Sequence, residues 1–361
     1  MAKKFIISGG GTGGHIFPAI SIANALRNRF SNCEILFVGA ENRMEMEKVP
    51  QAGYKIIGLP VAGIIRKFTL RNIGVLYKFY KSFRKARKIV KDFKPDVVIG
   101  VGGYASAPVL RAASGFDIPT VIQEQNSYAG LSNKMLGKKA SSICVAYKNM
   151  EKFFPSEKIH ITGNPVRKDL FNELNIVDAA AFFNLLPDKK TVLILGGSLG
   201  ARSINESVLN CLEELKNMND IQVIWQTGKY FSPKVELLDN ITNITVVDFI
   251  SRMDYAYKLA DIIVSRAGAG TISELCIVGK PVVLIPSTNV AEDHQTKNAL
   301  SLVEENAVIM IKDKELNDSL INTIKDLINH EKRCDILSKN ISKLAITNSD
   351  ELIVNEIEKL L

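Results

Sequence analysis

The chain has 361 residues, of which 46% are hydrophobic and 23% are charged, and its formal net charge is +8. This length fits two domains of roughly 100 to 200 residues each, and the composition excludes disordered and fibrous proteins. The N-terminal apolar run is too short for a signal peptide, and no stretch approaches the roughly 18 unbroken apolar residues of a membrane span. The basic charge favours an anionic partner, such as nucleic acid, an acidic membrane surface or a phosphorylated substrate.

The five cysteines are scattered and form no Cys-x-x-Cys pair. This pattern predicts buried, reduced cysteines in the cytoplasm, and neither a metal clip nor a redox centre. We therefore expect a protein that is neither secreted nor threaded through a bilayer.

Short apolar runs alternate with segments of helical periodicity, which predicts β-α-β units and parallel sheets. A break near Gly163-Asn164-Pro165 predicts two doubly wound α/β domains, residues 1–165 and 166–348. Residues 349–361 form a predicted amphipathic helix, with Ser349 or Asp350 as N-cap, that is expected to pack back on the first domain. The predicted strands are residues 5–8, 35–38, 97–101, 120–123 and 143–146 in the first half, and 191–195, 222–226, 245–248, 262–265 and 282–285 in the second.

A glycine-rich turn, Gly9-Gly10-Gly11-Thr12-Gly13-Gly14, follows the first strand and leads into His15. Glycines at this density let main-chain amides surround an anion at a helix N-terminus, and Pro18 is expected where that helix begins. The turn also satisfies G-x-G-x-x-G, and Glu41 follows the second strand where a ribose-binding acid would lie. A nicotinamide-dependent dehydrogenase is therefore one alternative, and a tight turn without a ligand is another.

Two further small-residue turns follow strands of the second half. Gly196-Gly197-Ser198-Leu199-Gly200 precedes a helix predicted from about Ser203, and it also matches the G-x-S-x-G elbow of α/β-hydrolases, with Ser198 as nucleophile and His294 as base. The full set of strands before this motif argues against such a hydrolase.

The third turn runs from Ser265 into a helix that contains Glu274. Amides of residues 269–272 are placed to hold a phosphate, and the hydroxyls of Thr271 and Ser273 to donate to it. Glu274 either accepts hydrogen bonds from ribose hydroxyls or only complements the helix dipole. Because the sequence has no Walker A, His-Glu-x-x-His or Asp-x-Asp pattern, we expect backbone and side chains, without a metal or cofactor, to neutralise the anion.

The motifs of the chain are residues 9–15, 102–104, 124–126, 163–167, 196–198, 265–274 and 293–295. Taken together, they resemble the MurG family, the UDP-N-acetylglucosamine transferases that act on a lipid-linked muramyl-pentapeptide in peptidoglycan synthesis. The resemblance implies a GT-B fold, in which two Rossmann-like domains face a central cleft, with the donor bound mainly by the C-terminal domain and the acceptor by the N-terminal one. It implies an inverting transfer of N-acetylglucosamine to the muramyl 4-hydroxyl, which converts lipid I to lipid II and releases UDP.

The resemblance also assigns roles to individual residues. The family often has His-Glu-Gln-Asn where this chain has Gln123-Glu124-Gln125-Asn126, so Gln123 cannot take the part of that histidine. The residues implied to hold the donor are Thr12, Gly13, Gly14, Asn126, Arg167, Ser198, Ile250, Ala269, Gly270, Thr271, Ile272, Ser273, Glu274 and Gln295.

The transfer needs a group that accepts the proton of the acceptor hydroxyl. His15 lies at the mouth of the first turn, and the ordinary pKa of histidine suits a base near neutral pH. The alternative is that Glu124 takes the proton while His15 orients the turn or binds a phosphate. A purely structural His15 is a third possibility.

Residues 70–93 read as one helix with a basic side. Residues 75, 76, 79, 80, 83, 86, 90 and 93 share one stripe, and five Lys and Arg residues lie broadly opposite. With the aliphatic and basic residues 63–68 just before it, the segment 64–93 predicts a contact with an anionic membrane on the cytoplasmic face of the inner membrane. The alternative is a solvated face on a core helix; nucleic acid is disfavoured because no reading motif accompanies the charge.

Other functions on the same fold remain open at this point. A nucleotide-sugar-binding regulator would bind UDP-sugar without releasing UDP to an acceptor. A UDP-sugar epimerase or a glycolipid synthase would share the donor site and differ in the acceptor half, where Tyr104 and Glu124 lie.

Overall fold

The structure is a computed structural model that describes residues 2–61, 71–197, 199–231, 241–288, 290 and 293–361, with only the backbone for 71–76. The chain divides into two compact units. Unit 1 comprises Met1–Val166 and Ile346–Leu361, and unit 2 comprises Arg167–Ala345. Ser198 and the loop of residues 63–68 lie outside the described residues.

Unit 1 is built on a parallel sheet, in which seven strands fall within the described residues in the order β3-β2-β1-β4-β5-β6-β7. The central strands are apolar on both faces because helices cover each side of a parallel sheet. The strands are β1 Lys4–Ser8, β2 Glu34–Ala40, β3 Lys55–Leu59, β4 Val97–Gly100, β5 Thr120–Glu124, β6 Ser142–Val145 and β7 Ile159–Ile161. The helices are α1 Gly13–Arg29, α2 Glu45–Gln51, α3 Arg71–Phe93, α4 Ser106–Ser114 and α5 Leu131–Gly137.

A last helix, α14 (Ser349–Glu358), completes unit 1 from the other end of the chain. Its buried Ile353, Val354 and Ile357 pack in one cluster with Ile16 and Ile22 of α1. Arg29 of α1 donates to Glu358 (2.7 Å) and to Asn355 (3.0 Å). The N-cap of this helix is Asn348, so the prediction of Ser349 or Asp350 as N-cap is wrong.

Unit 2 repeats the architecture with six parallel strands among its described residues, in the order β10-β9-β8-β11-β12-β13. The strands are β8 Lys190–Leu195, β9 Ile221–Gln226, β10 Ile244–Val247, β11 Ile262–Ser265, β12 Val282–Leu284 and β13 Ile309–Met310. The helices are α6 Ile176–Phe183, α7 Arg202–Asn210, α8 Leu212–Asn217, α9 Met253–Leu259, α10 Ala269–Val278, α11 His294–Val303, α12 Leu316–Asn329 and α13 Glu331–Ser342.

Each predicted strand is present, and the predicted fold class of two Rossmann-like, doubly wound α/β sheets is confirmed. Strands β3, β7 and β13 were not predicted from the sequence. The expectation for Pro18 is wrong, because α1 begins at Gly13 and Pro18 lies inside the helix. Pro18 lacks the amide hydrogen that would donate to the Gly14 carbonyl, and a helix loses that bond at such a position.

Helix α3 buries a narrower stripe than the sequence pattern suggests. Ala86 and Val90 are buried, whereas Phe79 and Tyr80 are 40% and 58% exposed. Periodicity indicates which side of a helix is apolar but not how far the neighbouring core extends along it. In the described part of the chain, no helix combines the length and the hydrophobicity that crossing a membrane requires.

The cysteines are free thiols, as expected from their spacing. Cys144, Cys211 and Cys276 are buried, whereas Cys33 and Cys334 are only partly buried, so the prediction of burial is wrong for those two. Burial raises the pKa of Cys144 and of Cys276 to about 12. These side chains therefore stay protonated and act as small apolar core residues.

Candidate functional site

Each sheet has one point where the strand order reverses, and in open parallel sheets ligands bind beside the carboxyl ends of the strands at that point. In unit 1 the reversal lies between β1 and β4, and in unit 2 between β8 and β11. The turns that follow these four strands include the three glycine-rich turns predicted from the sequence. The topology therefore places the glycine-rich turns of each unit at the carboxyl ends of its central strands.

In unit 1 the turns after β1 and β4 touch through their backbones. A Cβ atom on Gly103 would lie 2.3 Å from the Gly10 carbonyl oxygen, and one on Gly102 would lie 2.8 Å from Cδ2 of His15. The imidazole of His15 is half-buried against Gly102, and its Nδ1 lies 3.2 Å from Thr12 Oγ1. Two predicted site residues, Thr12 and His15, are thus in direct contact.

A buried carboxylate that the sequence analysis missed supports the first glycine turn. Glu45 of α2 accepts hydrogen bonds from the amides of Gly11 and Ala40, both at 2.9 Å. A Cβ atom on Gly10 would lie 2.1 Å from Glu45 Oε1, so only glycine leaves room for this carboxylate. The Gly11 amide therefore binds an anion of the chain itself, in contrast to a dinucleotide-binding turn, whose amides face the pyrophosphate of a cofactor.

Glu124 lies at the end of β5 and is buried among donors. Its carboxylate accepts from the amide of Gly130 (3.0 Å), from Nδ2 of Asn133 (2.8 Å), and from both nitrogens of Asn126 (3.1 and 3.4 Å). Burial raises the pKa of the Glu124 carboxyl, and these hydrogen bonds offset that effect only in part. Glu124 and Asn126, two further predicted site residues, therefore form one hydrogen-bonded group.

Gln123 takes part in a buried amide network behind this group. It donates to Asn164 Oδ1 (2.9 Å) and accepts from Gln125, while Asn164 donates to the Gln125 carbonyl (3.1 Å). Gln125 also donates to the Val101 carbonyl at 2.8 Å, which joins the network to the end of β4. Gln123 therefore has a structural role in this network.

The raised pKa of Glu124 predicts how the stability of the protein changes with pH. Because its folded-state pKa is raised above the usual 4.5, the folded protein binds more protons than the unfolded chain between those two values, and stability falls as the pH rises through this window. Glu124→Gln removes the titration. We expect the difference in unfolding free energy between wild type and variant to decrease as the pH rises. The decrease is at most about 1.4 kcal/mol per pH unit. Urea unfolding across that range measures it, and a difference that stays constant with pH would contradict the effect of burial.

In unit 2 the turn after β8 is held by a close backbone contact. Gly200 and Gly228 have φ angles of +83°, and a Cβ atom on Gly228 would lie 2.1 Å from the Gly200 amide nitrogen. Asn205 donates to the Thr227 carbonyl (2.8 Å) and accepts from Trp225 Nε1 (3.0 Å), which fixes the start of α7 to the end of β9. Ser198, the predicted donor-binding residue of this turn, lies outside the described residues.

Across the reversal point, the turn after β11 leads into α10. This helix begins at Ala269 with Gly268 as N-cap, so the amides of residues 269–271 lie in its first turn, where a helix leaves amides without helical partners. The hydroxyl of Ser273 donates to the Ala269 carbonyl at 3.1 Å, a contact that the sequence analysis did not foresee. The predicted phosphate-binding residues 269–273 therefore lie together in the first two turns of α10.

A hydrogen-bonded group built around the Arg266–Asp313 ion pair links the two segments that flank this reversal point. Arg266 donates to Asp313 Oδ1 (2.7 Å), to Ser203 Oγ (2.7 Å) and to the Ile285 carbonyl (3.1 Å). Ser203 in turn donates to Asp313 at 2.9 Å. Ser203 belongs to α7 and Arg266 follows β11, so this group fixes the two helix N-termini relative to one another.

Arg167 and Glu274, both predicted donor-binding residues, form an ion pair. Arg167 Nε lies 2.7 Å from Glu274 Oε1, and the buried Tyr257 donates to Glu274 Oε2 at 3.1 Å. The Glu274 side chain is 13% exposed and that of Arg167 is 43% exposed. Burial lowers the pKa of Arg167, but the charge and hydrogen bond of Glu274 raise it by more, so the guanidinium remains charged.

Two further predicted residues of unit 2 lie in a helix and in a loop. Gln295, in the first turn of α11, accepts from the Ser287 amide at 2.8 Å and so ties the loop after β12 to the helix. Ile250 is buried in the loop after β10. Within the described ranges, no His, Cys, Asp or Glu residues form a group of three or more that could hold a metal ion.

Three residues that support the site, Glu45, Tyr257 and Asp313, were not predicted from the sequence. Their partners, Gly11, Glu274 and Arg266, lie 34, 17 and 47 residues away in the chain. No local motif marks such a pair. The signal that was available for Glu45 is the unusual density of glycines in the turn it supports, since glycines mark close approach as well as anion binding.

Comparisons with known proteins agree with this fold. Residues 5–145 match the N-terminal domain of glycosyltransferase family 28, and residues 191–356 match the C-terminal domain of that family. The crystal structure of Acinetobacter baumannii MurG matches with a TM-score of 0.79 at 27% identity, covering 99% of each chain. A UDP-GlcNAc 2-epimerase from Neisseria meningitidis, at 18% identity and a TM-score of 0.70 over 99% of this chain and all of that one, shares the fold alone.

The fold and the matched domains define a glycosyltransferase of the two-domain, Rossmann-like GT-B class. The chain is 57% identical to the UDP-N-acetylglucosamine–N-acetylmuramyl-(pentapeptide) pyrophosphoryl-undecaprenol N-acetylglucosamine transferase of Parabacteroides distasonis, covering 99% of this chain and 98% of that protein. It is 55% identical to the protein of the same name from Bacteroides thetaiotaomicron, covering 99% and 97%. The chain belongs to this family, the MurG glycosyltransferases. The resemblance inferred from the sequence is confirmed, and the dehydrogenase and hydrolase alternatives are set aside.

Proposed function

We propose that the chain transfers N-acetylglucosamine from UDP-N-acetylglucosamine to the muramyl 4-hydroxyl of undecaprenyl-pyrophosphoryl-muramyl-pentapeptide, which converts lipid I to lipid II and releases UDP. The observation that carries the proposal is the identity of 57% over almost the full length with a transferase of that name. The pairing of Arg167 with Glu274 of α10 in unit 2 supports it, since a nucleotide diphosphate offers both phosphates and ribose hydroxyls.

Unit 2 holds most of the donor in this proposal. The amides at the N-terminus of α10, residues 269–272, and the guanidinium of Arg167 stabilise the negative charge that develops on the leaving diphosphate. Glu274 accepts hydrogen bonds from the ribose, and Ile250 lies on the uracil side. Further contacts come from Ser198, Thr271, Ser273 and Gln295, and from Thr12, Gly13, Gly14 and Asn126 of unit 1.

The acceptor 4-hydroxyl attacks the anomeric carbon on the face opposite UDP, so the new linkage is β-1,4 and the configuration inverts. The C–O bond to the diphosphate breaks, and its electron pair leaves with UDP. His15 accepts the hydroxyl proton. Its contact with Thr12 at 3.2 Å orients the ring, whereas both oxygens of Glu124 already accept hydrogen bonds from the chain, which supports a positioning role for Glu124.

The acceptor is anchored in lipid, so the enzyme must reach the bilayer surface. We propose peripheral binding at the cytoplasmic face of the inner membrane through the basic segment 64–93. On α3 the aromatic side chains of Tyr77, Phe79 and Tyr80 are exposed beside the exposed Lys78 and Lys81, a combination that suits an anionic headgroup region. The loop part of this segment lies outside the described residues.

The test is UDP release by the purified protein from UDP-N-acetylglucosamine, with and without a lipid-linked muramyl-peptide acceptor. Acceptor-dependent release, with a disaccharide product identified by mass spectrometry, is expected. Release of UDP together with an epimerised sugar in the absence of acceptor would overturn the proposal in favour of an epimerase. Donor binding without release would favour a regulator.

A further inference from the structure

Among the residues that the structure describes, one donates a hydrogen bond to each oxygen of Glu274, and the two donors differ in character. Arg167 reaches Oε1 from a long side chain that is 43% exposed. Tyr257 reaches Oε2 from α9, where its own side chain is buried. The carboxylate therefore has one fixed, buried donor and one donor at the surface.

The buried donor is well suited to hold an orientation. A tyrosine has two side-chain torsions, and a buried ring keeps both, whereas an exposed arginine has several torsions that remain mobile. Burial and the charge of Glu274 raise the pKa of the Tyr257 hydroxyl well above its usual value, so this group stays protonated and donates. The Tyr257 hydroxyl thus sets the direction of the Glu274 carboxylate.

A carboxylate offers about four acceptor positions, and the described residues occupy one on each oxygen. The two hydrogen bonds that are made fix the orientation of the carboxylate, and so they also fix the directions of its remaining acceptor positions. In the proposed donor complex these positions accept the ribose hydroxyls of the nucleotide. A carboxylate that rotates away from this direction loses both hydroxyl contacts together.

We propose that Tyr257 is a positioning residue that orients Glu274 towards the ribose and thereby sets the preference of the site for a ribonucleotide over a deoxyribonucleotide. This inference rests on the proposed function, because it requires Glu274 to contact the ribose of the donor. Tyr257 itself does not touch the nucleotide. Its effect is transmitted through the 3.1 Å hydrogen bond to Glu274 Oε2.

The experiment compares the binding of UDP, 2′-deoxy-UDP and 3′-deoxy-UDP by titration calorimetry. The wild type is expected to prefer UDP over at least one deoxy analogue by about tenfold or more, the usual effect of a hydrogen bond to a charged group. Tyr257→Phe keeps the ring and removes only the donor. It is expected to weaken UDP binding, leave the affinity for that analogue nearly unchanged, and reduce the preference to about threefold or less.

Tyr255→Phe is the matched control, because Tyr255 lies on the same helix and packs against Phe182 and Arg252 instead of Glu274. It is expected to keep the wild-type preference. A merely structural role for Tyr257 would weaken all three ligands by the same factor and leave their ratio intact. In a Glu274→Ala background, Tyr257→Phe is expected to have no further effect on the ratio, which completes a double-mutant cycle.

The outcomes separate this inference from the proposed function. If the wild type discriminates and Tyr257→Phe discriminates equally, the role of Tyr257 is refuted while the transferase proposal stands. If the wild type binds UDP but does not discriminate, Glu274 does not read the ribose and the inference fails in the same way. If the wild type binds no UDP, the proposed function and the inference fail together.

Discussion

His15→Ala is expected to lower kcat of the transferase by about 10²- to 10⁴-fold, the usual contribution of a general base. The Michaelis constant for UDP-N-acetylglucosamine should change little, because the proton is taken from the acceptor hydroxyl. The loss of the base should also remove the acidic limb from the pH profile of kcat/KM, since neutral imidazole is the active form. Steady-state kinetics with saturating acceptor across the pH range measures both effects.

His160→Ala is the matched control for this variant. His160 is also in unit 1 and partly exposed, but it lies on β7 and pairs with Glu356 of α14 at 3.4 Å, in a different part of the unit. We expect it to retain nearly wild-type kcat. If His15→Ala keeps its rate and its acidic limb, His15 is not the base, and Glu124→Gln then becomes the variant expected to lose activity.

Gly228→Ala is expected to destabilise unit 2 by about 3 kcal/mol or more, through backbone strain at positive φ together with overlap of the new methyl group. The added Cβ atom would lie 2.1 Å from the Gly200 amide nitrogen, and neither backbone segment is a flexible side chain that could move aside. Urea unfolding followed by tryptophan fluorescence measures the change, because the single tryptophan, Trp225, is buried in β9 of the same unit.

Gly197→Ala separates the two causes. Gly197 also has a positive φ of +78°, but a Cβ atom there would have nothing within 4 Å. It should therefore cost only the strain, about 1–2 kcal/mol. Equal destabilisation by the two substitutions would show that the contact between residues 200 and 228 contributes nothing beyond backbone conformation.

The central strands could be predicted from the sequence because buried parallel strands are continuous apolar runs followed by glycine turns. The strands that were missed, β3, β7 and β13, lie at sheet edges. An edge strand has one hydrogen-bonded neighbour and partial exposure, so its sequence need not be apolar: β3 begins with Lys55, and β7 contains His160. The edge strand β10 was still predicted, because Thr245, Val246 and Val247 are β-branched.

For the site, the sequence located the turns but not what supports them. Glycine-rich runs after strands identify the loops at the reversal points, since glycine is the residue that tolerates positive φ angles and close backbone contacts. The pairing of Arg167 with Glu274 spans 107 residues, and nothing in either local pattern indicates it. The same holds for Glu45, because a glutamate in the first turn of a helix usually needs no explanation beyond the helix dipole.

The return of α14 to unit 1 affects the order in which the protein acquires its structure during synthesis. Unit 2 is one continuous segment, Arg167–Ala345, whereas unit 1 requires residues from both ends of the sequence. Domains usually fold in the order in which they leave the ribosome. Here unit 1 is the first to emerge but the last to be completed. Ile16 and Ile22 of α1 cannot pack against Ile353 and Ile357 until the ribosome has also translated unit 2. The nascent chain thus carries an exposed apolar surface on α1 for most of its synthesis, and this helix is where we expect a chaperone to bind it.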